Sequence, residues 1–128
     1  MSTGSDEHLA HQLAMNQVSW QTLQEHGVTE RSELELDFFY LAPGEHQARA
    51  LAAFLQSETD YAVRLTSRAS GFLKKKAWFV EGTTRPTKAS QDTLDQWVTW
   101  MVGAGFEHGC AFDGWGAEVA GDAEATSG

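Results

Sequence analysis

Cysteine is almost absent from this chain, and so are long apolar runs. Cys110 is the single cysteine in 128 residues. It excludes an internal disulfide and a zinc site built on cysteine pairs. Within an apolar stretch it reads as a small buried core residue rather than a nucleophile, because free cysteine is among the most buried residue types. No apolar run approaches the ~20 residues that a membrane-spanning helix requires. The opening, Met1 to Gln12, is polar and acidic and lacks the basic-then-apolar plan of a secretory signal. A cytoplasmic location is expected. "EGTTRPTKAS", Glu81 to Ser90, contains one glycine and none of the glycine-rich spacing that cradles phosphate.

Positive charge is also scarce, and it is segregated. Nine Lys and Arg face eighteen Asp and Glu, for a formal net charge of −9. No Lys or Arg follows Lys88. Seven of the nine basic residues lie between Arg64 and Lys88, where Glu81 is the one acid. This stretch reads either as a solvated hairpin balancing acidic neighbours or as a docking patch. Bulk nucleic acid repels an acidic protein, which argues against direct RNA binding.

The length suggests one domain with a modest core. Residues 1–6 and 120–128 are rich in small and acidic residues and are expected to be disordered; the domain is expected over 7–119. From Glu7 to His26 the apolar positions Leu9, Leu13, Trp20 and Leu23 fall near helical spacing, and Gly27 suits the helix end. Glu33 to Leu41 alternates: Leu34, Leu36, Phe38 and Tyr40 on one face, Glu33, Glu35 and Asp37 on the other until Phe39 interrupts. Ala48, Leu51, Ala52 and Leu55 place a helix over Glu45 to Gln56. Tyr61 to Thr66 and Lys75 to Gly82 read as strands around turn residues Ser67 to Gly71, and Thr83 to Ala89 as a loop. Ser90 caps a helix carrying Leu94, Trp97, Val98 and Met101, which Gly103 and Gly105 are expected to stop. Cys110 to Val119 is the last strand. After a leading, peripheral helix, the order β-α-β-β-α-β predicts an α+β, ferredoxin-like two-layer sandwich.

The last strand contains Phe112-Asp113-Gly114-Trp115-Gly116. This "FDGWG" resembles the signature of the ribonuclease E inhibitor family, of the regulator of ribonuclease E activity B type. The likeness runs back through "DTLDQWVTWMVGAGFEHGCAFDGWGAEV" and into "LELDFFYLAP" and "LQEHGVTERSELELDFF", covering roughly residues 15–119. The resemblance implies a ferredoxin-like fold and a small non-catalytic regulator, without cofactor, that binds the non-catalytic scaffold region of ribonuclease E or another RNA-decay component and restrains decay. Enterobacterial members carry a long acidic tail; here "AGDAEATSG" holds two carboxylates.

Within that motif glycine in a strand marks a bulge or a close backbone approach. Asp113 is expected to hydrogen-bond neighbouring amides, Trp115 to pack across a helix, and Gly116 to make room for the ring. Candidate partner-binding residues are Phe39 and Phe79, on the strand face that is otherwise polar, with Arg64, Arg68, Lys74, Lys75 and Lys76. The leading helix is the alternative cover for that face. Trp97 should face the sheet, and Trp100 the edge of the same stripe. His8 and His11 share a helical turn without a third ligand, so no metal is expected. Two alternatives stand beside protein docking: a small enzyme or ligand-binding protein using a cleft near Asp113 and Trp115, and direct RNA binding through the arginines and lysines. A monomer or weak homo-oligomer is expected.

Overall fold

The structure, a computed structural model, describes residues 3–70 and 75–119, with side chains over 6–68 and 77–119. Its elements run α1 (Thr3–Glu25), β1 (Glu33–Ala42), α2 (Glu45–Glu58), β2 (Ala62–Ser70), β3 (Lys75–Thr83), β4 (Thr87–Lys88), α3 (Gln91–Glu107) and β5 (Ala111–Val119). The protein is α+β, with three helices and a five-stranded sheet in which every pairing is antiparallel.

β1 is the axis of the sheet. It pairs with β5 on one side and with β3, then the short β4, on the other, while β2 pairs with the far side of β3. The reason lies in its alternation. Leu34, Leu36, Phe38, Tyr40 and Ala42 are all buried on one face, which locks the register, because a slip of one residue would expose the whole set. Against them pack Ala48, Leu51, Ala52 and Leu55 of α2 and Val98, Met101 and Val102 of α3. Each fully buried large side chain contributes roughly 2 kcal/mol. Tyr40, the largest of them, keeps its hydroxyl satisfied by donating to the Met101 carbonyl at 2.6 Å.

Helix ends follow local chemistry. Ser90 accepts from the Thr93 amide while the Thr93 hydroxyl accepts from the Ser90 amide, a reciprocal cap that starts α3. At the other end Gly103 and Gly105 do not stop the helix, which continues to Glu107. Gly105 is instead where α3 meets the core: a Cβ there would lie 2.7 Å from the Tyr40 ring. The helix ends in a Schellman turn, with Gly109 at positive φ, its amide donating to Phe106 and the Cys110 amide donating to Gly105. α1 ends in the same way, as its spacing predicted: Gly27 donates to Gln24, and Val28 to Leu23.

Four further expectations change. α1 begins at Thr3, not Glu7. Ser67 to Ser70 continue β2 rather than turning, so the hairpin is longer than composition suggested. Thr87 and Lys88, expected in a loop, rejoin β1 as β4. Between β3 and β4 the chain steps out at Thr84, whose amide donates to the Leu36 carbonyl while its hydroxyl accepts from the Leu36 amide. Finally, α1 is more than peripheral. Trp20 is buried with Leu34, Leu36 and Leu94, and Leu9 and Leu13 pack on the main core.

Gly82 and Gly116 are opposite cases. Gly82 pairs with Phe38 on the buried face, and a Cβ there would lie 2.3 Å from the Ala62 carbonyl and 2.5 Å from Phe38 Cζ. Nothing lies within 4 Å of a Cβ at Gly116. Gly82→Ala should therefore lower stability by ~1–3 kcal/mol and Gly116→Ala should change it by no more than ~0.5 kcal/mol; urea unfolding midpoints of the two variants provide the check.

Candidate functional site

In β5 the chain carries one residue more than β1 can match. Tyr40 pairs with Phe112 and Phe39 with Gly114, so Asp113 is left over as a bulge. Gly114 takes φ +117, a conformation open to glycine and strained for other residues. The extra residue restores parity. Phe112 and Trp115 both face the helices, although they are three positions apart. Trp115 meets Trp97 of α3 edge to face, and Trp97 meets Phe112 in the same way, each pair at 6.3 Å. Its indole Nε1 donates to Asn16 Oδ1 of α1 at 2.8 Å. Asn16, fully buried, passes its own amide hydrogen to Asp95 of α3 at 3.0 Å. His8 donates to the Phe112 carbonyl and meets Phe106 edge-on, so it ties the first helix to β5.

These contacts fix α1 on the helical side, beside α3. It does not cover the other face of the sheet, where Phe39 and Leu41 remain 36% and 46% exposed. By register, that face carries three strips. Arg64, Thr66 and Arg68 lie on β2; Phe79, Phe39 and Leu41 run through the middle; and Asp37, Glu35 and Glu118 lie on β1 and β5. Glu81 is the hinge of the basic strip, with Arg64 at 3.5 Å and Arg68 at 3.8 Å. The Arg68 guanidinium also stands over the Phe79 ring at 4.8 Å, a cation–π contact. Both arginines remain largely in solvent, so these pairs orient more than they stabilise. The Thr66 hydroxyl is buried and without a partner among the described residues. On the acidic side Thr83 donates to Asp37 at 2.7 Å, while Glu35 and Glu118 stand directly opposite each other. Like charges opposed in this way repel, and a cationic group laid over them would relieve that.

The structure thus brings Phe39, Phe79, Arg64 and Arg68 onto one surface. Lys74 lies outside the described residues, as do the side chains of Lys75 and Lys76 and the tail 120–128. Asp113 is exposed and makes no side-chain hydrogen bond among the described residues, contrary to the expected amide contact. The ring of Trp115 does not depend on Gly116, which faces open space on the opposite side. Leu41 and Trp100 are among the exposed apolar groups that escaped the sequence. Leu41 continued the polar-side row beyond Phe39 and was legible by parity. Trp100, expected to pack, is 41% exposed and stacks on Phe54, whose other neighbour is His108.

Cys110 is buried, and burial pushes its thiol up from the ordinary 9.0. The Sγ lies 3.7 Å from the Gln47 carbonyl and 3.6 Å from that of His108. A protonated thiol without a base is a poor nucleophile. Native Cys110 should react with a thiol reagent at least ~100-fold more slowly than the urea-unfolded chain, because labelling must wait for opening; time-resolved absorbance of the released reporter measures the ratio.

Burial also raises Tyr40 and, less deeply set, Tyr61 above 10.0. These groups stay protonated in the folded protein at a pH where the unfolded chain loses their protons. The folded state then binds more protons, and stability falls with rising pH. Urea midpoints should hold up to about pH 9 and decline beyond it as the unfolded thiol and phenols ionise. Tyr40→Phe should flatten the alkaline limb.

Among the described residues no helix is long and apolar enough to cross a membrane, and no cluster of three or more His, Cys, Asp or Glu is placed to hold a metal ion. No curated protein matches the chain. The family model for regulator of ribonuclease activity B matches residues 14–117, a span that starts two residues before Asn16 and ends two residues after Trp115. The hydrogen bond from Trp115 to Asn16, which joins the last strand to the first helix, lies near both ends of the matched region, and the chain belongs to the RraB family of regulators of ribonuclease activity.

Proposed function

We propose that this protein restrains RNA decay without catalysis of its own, by docking the open face of its sheet onto the non-catalytic scaffold region of ribonuclease E or an equivalent RNA-decay component. The observation that carries the reading is the apolar stripe of exposed Phe39 and Leu41 and half-buried Phe79 between a strip of arginines and a strip of carboxylates. An apolar centre with charged margins has the anatomy of a protein interface. The bulge residues Phe112 to Gly116 then serve the scaffold rather than the contact. Among the described residues no acid, base or nucleophile is hydrogen-bonded to the Asp113 carboxylate, which weighs against a catalytic cleft there. The order β5-β1-β3-β2, with a helix crossing between β1 and β2 and another between β3 and β5, supports the ferredoxin-like description of the fold. The domain is taken as 7–119 and the site of action as the cytoplasm.

Docking changes what the nuclease holds only through a difference in affinity between its states. The test is titration calorimetry against the purified scaffold region, together with an RNA-cleavage assay on the whole nuclease. The native chain should bind and slow cleavage. Phe39→Glu with Leu41→Glu should weaken binding at least ~30-fold, the equivalent of losing a ~2 kcal/mol hot spot, with an unchanged circular dichroism spectrum. Undiminished binding by that variant would refute the surface. Binding to RNA alone, falling steeply with salt and lost in Arg64→Glu with Arg68→Glu, would favour direct RNA recognition instead.

A further inference from the structure

β2 forms one margin of the sheet. It pairs with β3 along its whole length, from Ala62 opposite Thr83 to Ser70 opposite Lys75, without a shift of register. Among the described residues no strand pairs with its other side, and no backbone hydrogen bond outside the β3 ladder reaches residues 62–70. In an antiparallel pair every second residue turns its amide and carbonyl away from the neighbour. The outer edge of β2 therefore presents a row of donors and acceptors ready for a further strand. β5, at the opposite margin, is interrupted by the bulge at Asp113, a device that spoils an edge for pairing. β2 carries no bulge and no proline, and its 9 residues exceed the ~5–6 of an average strand.

Side chains decide what this edge accepts. On the open face Arg64, Thr66 and Arg68 follow one another at alternate positions. Two guanidiniums share one carboxylate, that of Glu81, at 3.5 Å and 3.8 Å. Both arginine side chains are largely in solvent while that of Glu81 is largely covered, so solvent meets positive charge. Between them the Thr66 hydroxyl is buried without a partner among the described residues. On the helical face Val63 and Leu65 are half-buried against the core. A second copy is a poor occupant. Two β2 strands laid antiparallel along their full length, centred on Thr66, set Arg64 against Arg68 twice, and like charges directly opposite repel. We propose that the outer edge of β2 takes up an extended acidic segment of a partner protein as a further strand, with carboxylates opposite Arg64 and Arg68, a hydroxyl or amide opposite Thr66, and apolar residues at the alternate positions beside Val63 and Leu65. Backbone pairing holds such a segment, and the alternate side chains select it. The edge adjoins the sheet face proposed above but is a separate surface, and it stands whether or not that face docks on a nuclease.

The test is a nitrogen–proton correlation titration of the ¹⁵N-labelled full chain at about 0.15 M salt. The probe is the capped peptide SVEVTVEVS, a palindrome that suits either strand direction. Amide shifts along residues 62–68 should saturate with a Kd of about 1 mM or tighter. Alternate amides of β2 should exchange with solvent about tenfold more slowly in the complex, while those between them, already bonded to β3, should change little. The peptide SVKVTVKVS should bind about tenfold more weakly, because it sets like charges opposite each other. Arg64→Gln with Arg68→Gln should weaken the acidic peptide about fivefold, and a dispersed spectrum shows that variant to be folded. Phe39→Glu with Leu41→Glu, which spoils the sheet face, should bind the peptide within about threefold of the native chain, so that edge and face fail separately. No saturable shift up to roughly ten millimolar peptide would overturn the proposal. So would equal binding of the two peptides, or shifts centred on β1 without slower exchange in β2. Shifts at β2 that grow with the chain's own concentration before peptide is added would assign the edge to a second copy. Binding seen only after removal of residues 120–128 would assign it to the chain's own end. Either result overturns a partner segment.

Discussion

Between Phe112 and Trp115 the last strand holds one residue that its neighbour cannot match, and the arrangement of the helical layer depends on how that surplus is absorbed. With strict alternation the indole would point away from the helices that Phe112 packs against. The bulge at Asp113, made with Gly114 at φ +117, turns it inward. There it finds a hydrogen-bond acceptor on α1 and a ring on α3. A buried indole N–H without a partner would cost about 1–3 kcal/mol, so the strand register and the position of α1 are specified together. Asn16 and Asp95 extend the same tie to α3.

The seat of α1 decides what the other face of the sheet presents. A 23-residue helix could have been its cover. Held instead against α3, the helix contributes Trp20 to the core and His8 to a strand carbonyl. It leaves Phe39 and Leu41 with no cover from within the described chain. The basic residues that the sequence concentrates between Arg64 and Lys88 are then divided by the fold. Arg64 and Arg68 flank the open face beside Glu81, Lys88, in β4, lies opposite Glu33, and Arg85 approaches Asp60 beyond the end of β3.

Much of this was readable in the linear chain. Period-two alternation in β1, the apolar stripe of α2, the Ser90 cap and Gly27 all act between near neighbours, so local physics decides them. The misread points share a cause. Gly103 and Gly105 looked like terminators because glycine is a poor helix former, but burial of Gly105 against Tyr40 outweighs a penalty of ~1 kcal/mol. Ser67 to Ser70 looked like a turn by composition, yet pairing with β3 keeps them extended. Thr84 lies in a loop as read, but it is buried there and bridges to Leu36. Trp100 shares a helix with Trp97, but rotation around that helix carries it onto the exposed face with Phe54.

The sequence by itself determined the order of the three helices and the four main strands, which face of β1 is apolar, that positive charge is gathered in one stretch, and that a single thiol sits in an apolar stretch. These follow from spacings of a few residues, over which sterics and periodicity act directly. Only the tertiary structure decided where the first helix lies, which way the Trp115 ring turns, and that Arg64 and Arg68 share Glu81 while Arg85 approaches Asp60. Those outcomes join residues as far apart as Asn16 and Trp115. No local propensity encodes such a meeting, because it is selected by the joint burial and hydrogen-bond satisfaction of groups that approach only when the chain has closed.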